Sequence, residues 1–476
     1  LEHMLFKGTD RIGALDWEKE QPLYEQIIAL YDTLALTTDA KAREAVQLRI
    51  NEVSLEAAKY AATDEFSNLV QGIGGEGLNA FTAYDVTCYM NSFPAYQMER
   101  WLTLYADRLT NPVFRSFQAE LENVFEEYNM YLDDNSTHSR NFIFGKLYEG
   151  HAYARDIIGY PEDLKNPKLR QLIDYYNTWY VPNNMALILV GEFDIEATKP
   201  LIEKTFGKLE ARPLPARTEY PTTAFEQDER YSAKLGYMPE LYIAYNGVPV
   251  GDKDELLLDF LGEILSNSMQ IGLLDELTLD NKLMYAGAVN DVRRDQGRFL
   301  VVAVPYMDAE TQTYTSLKET EELVNEAIQQ LVSGNITEEL VEAVRQNFYQ
   351  EFDRTMEYPE MKVQLLQNAF TYQQSIEEML QLKEQVAAIT MDDLKNAAKK
   401  YLGAPKKVFE IEEGTPKKDK LPKPKIKSLE SPKGESAYRQ YFDSIPAGKL
   451  SPTFIDFSDI DQDLFYEGVS VYCTPN

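Results

Sequence analysis

Residues 1–9 read Leu-Glu-His-Met-Leu-Phe-Lys-Gly-Thr, and this run decides how the rest of the chain is interpreted. Glu2 and His3 match the last two residues of a helical His-x-x-Glu-His, in which both imidazoles bind zinc and the glutamate is the general base. The first His of such a motif would fall two positions before Leu1. Leu-Glu and His-Met are also what common cloning sites leave behind, so residues 1–4 alone do not separate a metal motif from a vector scar.

Residues 4–9 continue the run beyond such a scar. The whole run resembles a near-signature of the pitrilysin/insulinase family of inverted-motif zinc peptidases. The resemblance implies a zinc cofactor, bound by the upstream His, by His3 and by a carboxylate further along the chain. It also implies that Glu2 is the general base for the water that attacks the peptide bond.

The family carries its third ligand on a later helix, with a second glutamate seven residues before it. The matching stretch contains Glu120 and Glu127. Seven residues are two helical turns, so both carboxylates share one face. The resemblance implies that Glu127 binds zinc and that Glu120 supports catalysis by orienting a ligand or the water. An acidic amphipathic helix with solvated glutamates is the alternative.

The spacing from His3 to Glu127 is longer than in the family, and the surplus falls at residues 16–61. This segment has a helical pattern of its own. Pro22 predicts the first turn of one helix and Asp39 the cap of a second. Apolar residues recur at helical spacing in both, namely Leu23, Ile27, Tyr31 and Leu34, then Ala42, Val46, Ile50 and Val53. We predict an inserted helical hairpin, which is either a wall or lid of a substrate chamber or an elaboration without that role.

Residues 79–82 read Asn-Ala-Phe-Thr, follow a Gly-rich turn and, with residues 87–91, predict a pair of strands. The family resemblance implies that this strand is an edge that binds an extended peptide through main-chain hydrogen bonds. The substrate-binding residues would then be Asn79, Ala80, Phe81 and Thr82. An ordinary sheet edge is the alternative.

Composition excludes several classes of function. The net charge of −31 argues against a nucleic-acid partner, because a phosphate backbone needs a basic face. No apolar run reaches the ~18 residues that a membrane span requires. The two cysteines, Cys88 and Cys473, give no disulfide framework. Of the three histidines, His138 and His151 are interpreted as structural, and no complete His-x-x-Glu-His can be assembled within the chain.

The 476 residues suit two or three domains. We assign residues 1–220 to a metal-bearing first unit and 221–412 to a second unit without a metal motif. Residues 413–476 would be a linker and the start of a further unit. The predicted fold class is α+β, each unit being a mostly antiparallel or mixed sheet covered by helices. Strands are predicted at 185–190, 241–245, 284–292 and 298–305, and helices at 165–179, 253–267, 315–333, 337–356, 359–371, 374–387 and 390–401.

Residues 405–436 hold five prolines and nine lysines, which predicts an extended, solvated tether. Residues 463–472 resemble the opening strand of another unit of the family. The resemblance implies a partner, which is either the C-terminal half of the same natural chain or the second copy in a homodimer.

These residues together predict a zinc metalloendopeptidase that cleaves short or unfolded peptides. The long bacterial members that the chain resembles imply a periplasmic or otherwise extracytoplasmic location. A catalytically silent homologue, acting as a scaffold or processing partner, is the alternative. A His two positions before Leu1 would favour the enzyme, and most other residues there would favour the scaffold.

Overall fold

The computed structural model describes residues 1–421, 427, 434–450, 458, 460–466 and 469–473. Both helices and strands build the molecule, which confirms the predicted α+β class. Helices dominate the first unit, whereas the main sheet lies in the second. No helix within the described ranges is long and apolar enough to cross a membrane.

The predicted helical hairpin is present. Helix α1 spans Trp17–Leu36 and α2 spans Ala40–Ala57. Both are capped by aspartates, because Asp16 and Asp39 accept hydrogen bonds from backbone N–H groups in the first turn that follows. Helix α1 begins before Pro22, so the prediction that Pro22 lies in its first turn is wrong.

A buried ion pair fastens this hairpin to the body of the first unit. Arg115 Nε lies 2.6 Å from Oε1 of Glu20, and its Nη2 lies 3.0 Å from Oε2. Arg115 also donates hydrogen bonds to the carbonyls of Lys7 and Ile12. The insertion is therefore tied to the segment that directly follows Glu2 and His3.

The rest of the first unit is mainly helical. Its strands among the described residues are β1, Glu76–Thr82, and β2, Thr87–Ser92, which pair antiparallel with each other. Among the described residues, the sheet of this unit is therefore limited to these two antiparallel strands. The helices are α3 (Glu65–Gly72), α4 (Met98–Arg108), α5 (Phe117–Asp133), α6 (Asn135–Leu147), α7 (Pro161–Lys165), α8 (Leu169–Trp179) and α9 (Ile195–Thr205).

The strand predicted at residues 185–190 is not formed. A strand needs a hydrogen-bonded neighbour, and β1 and β2 form a two-stranded sheet without a third member. Leu187 and Leu189 still pack against a buried cluster that includes Phe66 and Leu102. The apolar pattern thus predicted burial correctly and pairing wrongly.

The second unit is built on a five-stranded sheet in the order β3-β9-β4-β6-β5, in which only the β3–β9 pair is parallel. The strands predicted at 241–245, 284–292 and 298–305 are confirmed to within one residue at each end. The strands are β3 (Glu229–Gly236), β4 (Glu240–Asn246), β5 (Leu283–Asp291), β6 (Arg298–Pro305), the short pair β7 (Met307–Asp308) and β8 (Thr313–Tyr314), and β9 (Lys406–Glu413).

Helices cover this sheet, and their caps follow the sequence signals. Thr390 and Asp393 form a capping box before the last helix. The single helix predicted at 374–387 is instead two short ones. The helices are α10 (Glu255–Leu265), α11 (Leu273–Leu279), α12 (Leu317–Ser333), α13 (Glu338–Glu357), α14 (Pro359–Tyr372), α15 (Ile376–Leu380), α16 (Leu382–Ala388) and α17 (Met391–Tyr401).

The start of the predicted tether is wrong, because residues 406–413 form strand β9 between β3 and β4. Its apolar side chains Val408, Phe409 and Ile411 are buried. The burial of these three side chains in the sheet outweighs the preference of the surrounding lysines for solvent. The linker therefore follows Glu413.

Beyond Glu413 the chain runs back over the first unit. We call its described residues 414–421, 427 and 434–450 the C-terminal strap. The Asn129 side chain bonds both the N–H and the C=O of Leu421, and Asn51 does the same for Lys427. The prediction of a free, solvated tether is wrong at these points. Residues 422–426 and 428–433 lie outside the described residues.

Near its end the strap forms helix α18, Ala437–Ser444, which packs on the first unit. Tyr438 and Phe442 join the buried cluster around Phe66 and Leu102. The carboxylate of Glu65 accepts hydrogen bonds from the N–H and hydroxyl of Ser436 just before this helix. A final hairpin of β10 (Asp461–Tyr466) and β11 (Val469–Cys473) lies where the opening strand of a further unit is predicted.

Candidate active site

Glu2 and His3 lie on a short 3-10 helix, Glu2–Phe6, whose Met4 and Leu5 side chains are buried. Gly8 follows with φ +86°, and a Cβ at this position would lie 2.2 Å from the Ile12 carbonyl oxygen. Only glycine fits such a turn without strain. The glycine of the opening run is therefore required by the turn that leads the chain away from Glu2 and His3.

A buried arginine, Arg108, stabilises the segment before this turn. Arg108 is 2% exposed and donates from Nη2 to the carbonyl of Leu5 at 3.0 Å. Its guanidinium lies between 4.2 and 5.1 Å from the ring centroids of Phe6, Phe66, Tyr89 and Tyr105. The rings stabilise a cation that would otherwise be costly to bury. Nothing in the sequence pattern pointed to this residue, because its partners are spread over a hundred positions.

Glu120, on helix α5, is hydrogen-bonded to His3. His3 Nδ1 lies 2.8 Å from Glu120 Oε1, and Lys7 Nζ lies 2.7 Å from Oε2. These two cationic or hydrogen-bonding partners lower the pKa of Glu120 to about 2, His3 contributing most. The carboxylate is therefore ionised and accepts the bond from Nδ1. The same bond is the main reason why the pKa of His3 is raised.

This contact has a direct consequence for metal binding. A ring whose Nδ1 is held by a carboxylate presents Nε2 as its free donor, which is the arrangement found around zinc-bound histidines. The His3 side chain remains 40% exposed. Glu120 therefore contacts His3 directly, and its role in orienting a zinc ligand stays a prediction.

Glu127 lies on the same helix, α5, two turns further on. Its Oε1 accepts a hydrogen bond of 3.1 Å from the Tyr131 hydroxyl, and the residue is partly exposed. After Glu120 and Glu2, Glu127 contributes to raising the pKa of His3, so its charge acts on that ring. Among the described residues, however, no group of three His, Cys, Asp or Glu side chains is close enough to hold a metal.

The β1 strand reaches the same region. The Thr82 hydroxyl donates to Glu2 Oε2 at 2.6 Å, and the Tyr89 hydroxyl donates to the Glu2 carbonyl at 3.4 Å. Asn79 uses its side chain to accept from the N–H of Ala80, and Phe81 is exposed. Because β1 pairs only with β2, its other edge is open among the described strands. The bond from Thr82 to Glu2 was not predicted, since the sequence suggested only contact with substrate.

The remaining histidines lie elsewhere. His138 Nε2 is 3.0 Å from the carbonyl of Leu132. His151 is buried, accepts from the N–H of Tyr153, and has Nε2 3.2 Å from Asp295, outside hydrogen-bond geometry. Burial lowers the pKa of His151. Both environments suit the structural roles predicted for these residues.

The donor set fits zinc in part. His3 offers an imidazole with an anchored Nδ1, and Glu127 offers a carboxylate that acts on the same ring. A catalytic zinc normally takes three protein ligands. The described residues thus supply two candidate ligands, a candidate base in Glu2 and an orienting carboxylate in Glu120.

Two family models match the chain. The model described as "Insulinase (Peptidase family M16)" matches residues 51–160, and the one described as "Peptidase M16 inactive domain" matches residues 168–348. The chain belongs to this insulinase family of peptidases. The first match contains β1, Glu120 and Glu127, whereas Glu2 and His3 precede it. The second match covers most of the unit in which the sequence shows no metal motif.

Related sequences carry the names of zinc proteases. The zinc protease PqqE of Helicobacter pylori is 22% identical over 366 residues, 74% of this chain and 79% of that protein. The uncharacterized zinc protease YmxG of Bacillus subtilis is 25% identical over 224 residues, 47% of this chain and 54% of that one. The probable zinc protease PqqL of Escherichia coli is 28% identical over 158 residues, 32% of this chain and only 17% of that protein.

Solved structures show the same fold. A protease from Helicobacter pylori aligns with a TM-score of 0.64 at 20% identity, covering 74% of this chain and 85% of that one. The periplasmic protease PqqL from Escherichia coli aligns with a TM-score of 0.61 at 15% identity, covering 92% of this chain and 50% of that chain. The chain therefore spans about half the length of the longer of these two structures.

Proposed function

We propose that this chain is the metal-bearing part of a zinc-dependent endopeptidase that cleaves short or unfolded peptides. One observation carries the proposal. The adjacent residues Glu2 and His3 are each hydrogen-bonded to a residue far along the chain, His3 to Glu120 and Glu2 to Thr82, beside a strand edge that is open among the described strands. The names of the related zinc proteases support the same reading.

In this proposal each side chain has a separate task. His3 and Glu127 hold the metal together with a His two positions before Leu1, and Glu120 fixes the ring of His3. Zinc, when bound, would polarise the scissile carbonyl and lower the pKa of the attacking water, which makes its proton easier to remove. Glu2 accepts the proton of that water and returns it to the leaving amine. The open edge of β1, at residues 79–82, pairs with the main chain of an extended peptide.

The alternative function is a silent homologue that acts as a scaffold or processing partner. In either case we propose that the partner is the C-terminal half of a longer protein or a second copy, since the long PqqL structure is about twice the matched length. The periplasmic location of PqqL is the ground for proposing an extracytoplasmic site of action.

The experiment compares two forms of the full chain, preceded by His-Ala or by Ala-Ala. Zinc content is measured after dialysis, and hydrolysis is followed with fluorogenic peptides. We expect the His form to hold one zinc and cleave peptide, and the Ala form to hold zinc poorly. A His form that binds zinc without any hydrolysis would favour the scaffold.

Two substitutions in the His form separate the base from the ligand. Glu2→Gln should lower peptide cleavage by at least about 10²-fold while zinc stays bound, because only proton transfer is lost. Glu127→Gln should lower zinc content and activity together. Glu126→Gln, a matched change on the same helix, should alter neither. Full activity in Glu2→Gln would overturn the assignment of the base.

A further inference from the structure

The Thr82 hydroxyl bonds the carboxylate of Glu2, and this contact gives β1 a second task besides holding a peptide. The donor–acceptor distance is 2.6 Å, at the short end for an O–H···O hydrogen bond. Thr82 is the last residue of β1 and pairs with Thr87 at the start of β2. The position of the hairpin β1–β2 therefore sets the position of a Glu2 oxygen.

The tip of this hairpin is clamped. Asp85 in the turn accepts a hydrogen bond of 2.8 Å from the Tyr153 hydroxyl, and its carboxylate lies 3.5 Å from Arg217 and 3.7 Å from Arg294. Its side chain is only 9% exposed although it occupies a turn. Three cationic or hydroxyl groups thus converge on one carboxylate.

Much of the clamp comes from the second unit, from the loop that joins β5 to β6. Arg294 in this loop faces Asp85, and the guanidinium of Arg293 lies 4.6 Å from the Tyr84 ring centroid. The same loop donates from the N–H of Asp295 to the Tyr153 hydroxyl at 3.4 Å. The hairpin tip is therefore held between Tyr153 of the first unit and this loop of the second.

An isolated two-stranded hairpin is marginally stable in water, so its position depends on what holds its ends. We infer that the second unit, which carries no metal motif, positions the general base of the first through this hairpin. Thr82 and Asp85 are the positioning residues at its two contacts. This inference rests on the proposed function for the role of Glu2. It assigns the second unit the task of holding the base in position, with no part in the chemical step itself.

The test uses the full chain preceded by His-Ala. Thr82→Val should lower kcat about 10- to 100-fold, the loss expected for one hydrogen bond to a charged group, with KM and zinc content little changed. Thr82→Ser restores the hydroxyl and should recover most of kcat. A Thr82→Val variant with the kcat of the parent would overturn the inference.

Asp85→Ala and Arg294→Gln break the clamp from either side. Each should lower kcat and speed hydrogen–deuterium exchange of the backbone amides of residues 76–92. Asp353→Ala, which removes an exposed ion pair with Lys383 in the second unit, is the matched control and should change neither.

The exchange measurement separates this inference from the proposed function. A parent chain that binds no zinc or cleaves no peptide would defeat the proposed function. Unchanged exchange in both Asp85→Ala and Arg294→Gln would defeat the clamp, whatever the activity of the parent.

Discussion

Glu120 accepts a hydrogen bond from Nδ1 of His3 at 2.8 Å, although the two residues are 117 positions apart. The bond fixes the ring and leaves Nε2 as its outward donor atom. Lys7 holds the other oxygen of the same carboxylate, four residues after His3. The opening run and helix α5 are thereby locked together, and the insertion between them does not disturb the contact.

The first prediction concerns this bond. Glu120→Gln keeps size but loses the charge that makes the bond strong, so zinc affinity of the His-preceded chain should fall about 10- to 100-fold. The measurement is competition with a chromophoric chelator. Glu126→Gln serves as the control on the same helix. Equal affinity in Glu120→Gln and the parent would show that Glu120 does not orient a zinc ligand.

The second prediction concerns the buried pair of Glu20 and Arg115, both under 5% exposed. Burial raises the pKa of Glu20, and Arg115 opposes that rise. Arg115→Met leaves a buried carboxylate without its partner, so the free energy of unfolding should drop by about 3–5 kcal/mol. Urea unfolding followed by circular dichroism measures this.

The double variant Glu20→Leu/Arg115→Met is the control for this pair. Because no unpaired charge remains, it should recover part of the lost stability. A double variant no more stable than Arg115→Met would locate the loss in the bonds from Arg115 to Lys7 and Ile12 instead.

Local signals predicted the helices and the main sheet well. Asp39 and Thr390 cap helices where the sequence places them, and the strand at residues 298–305 is confirmed to the residue. The caps depend on residues within a few positions, and the apolar run at residues 299–304 is itself the signal of a buried strand. The failures at 185–190 and 406–413 depend on pairing partners far along the chain, which a single sequence does not show.

The same contrast between local signals and distant partners holds for the candidate site. The family resemblance of residues 1–9, together with the seven-residue spacing on one helix, singled out Glu2, His3, Glu120 and Glu127 as candidates. The bond from Thr82 to Glu2 joins residues 80 positions apart and appears only in the folded chain. Arg108 was missed for the same reason, since its importance lies in the rings that surround it.

The third prediction concerns the C-terminal strap. Asn129 lies two residues beyond Glu127 and satisfies both backbone groups of Leu421. Asn129→Ala removes both bonds, so the free energy of unfolding should fall by about 1–3 kcal/mol. Limited proteolysis between residues 414 and 436 should also become faster. Asn335→Ala, an exposed asparagine beyond helix α12, should change neither; a matching effect there would contradict a specific anchor.

The last prediction concerns pH and Asp259 on helix α10. Burial raises its pKa to about 7, helped by Glu255 and Glu263, while a hydrogen bond from Asn290 opposes the rise. The folded chain therefore holds this proton more tightly than the unfolded chain, whose aspartate has its usual pKa of 3.8. The contribution of Asp259 to stability is full below that value and is lost as pH rises to about 7, with a slope of about −1.4 kcal/mol per pH unit.

Asp259→Asn keeps an acceptor for Asn290 and removes the titration. Relative to the parent, it should gain about 2–3 kcal/mol in the free energy of unfolding between pH 5 and pH 8, measured by urea unfolding. Asp174→Asn, at an exposed position on helix α8, should show no such pH-dependent gain. Parallel pH profiles for the parent and Asp259→Asn would mean that this carboxylate is ionised in the folded protein throughout the range.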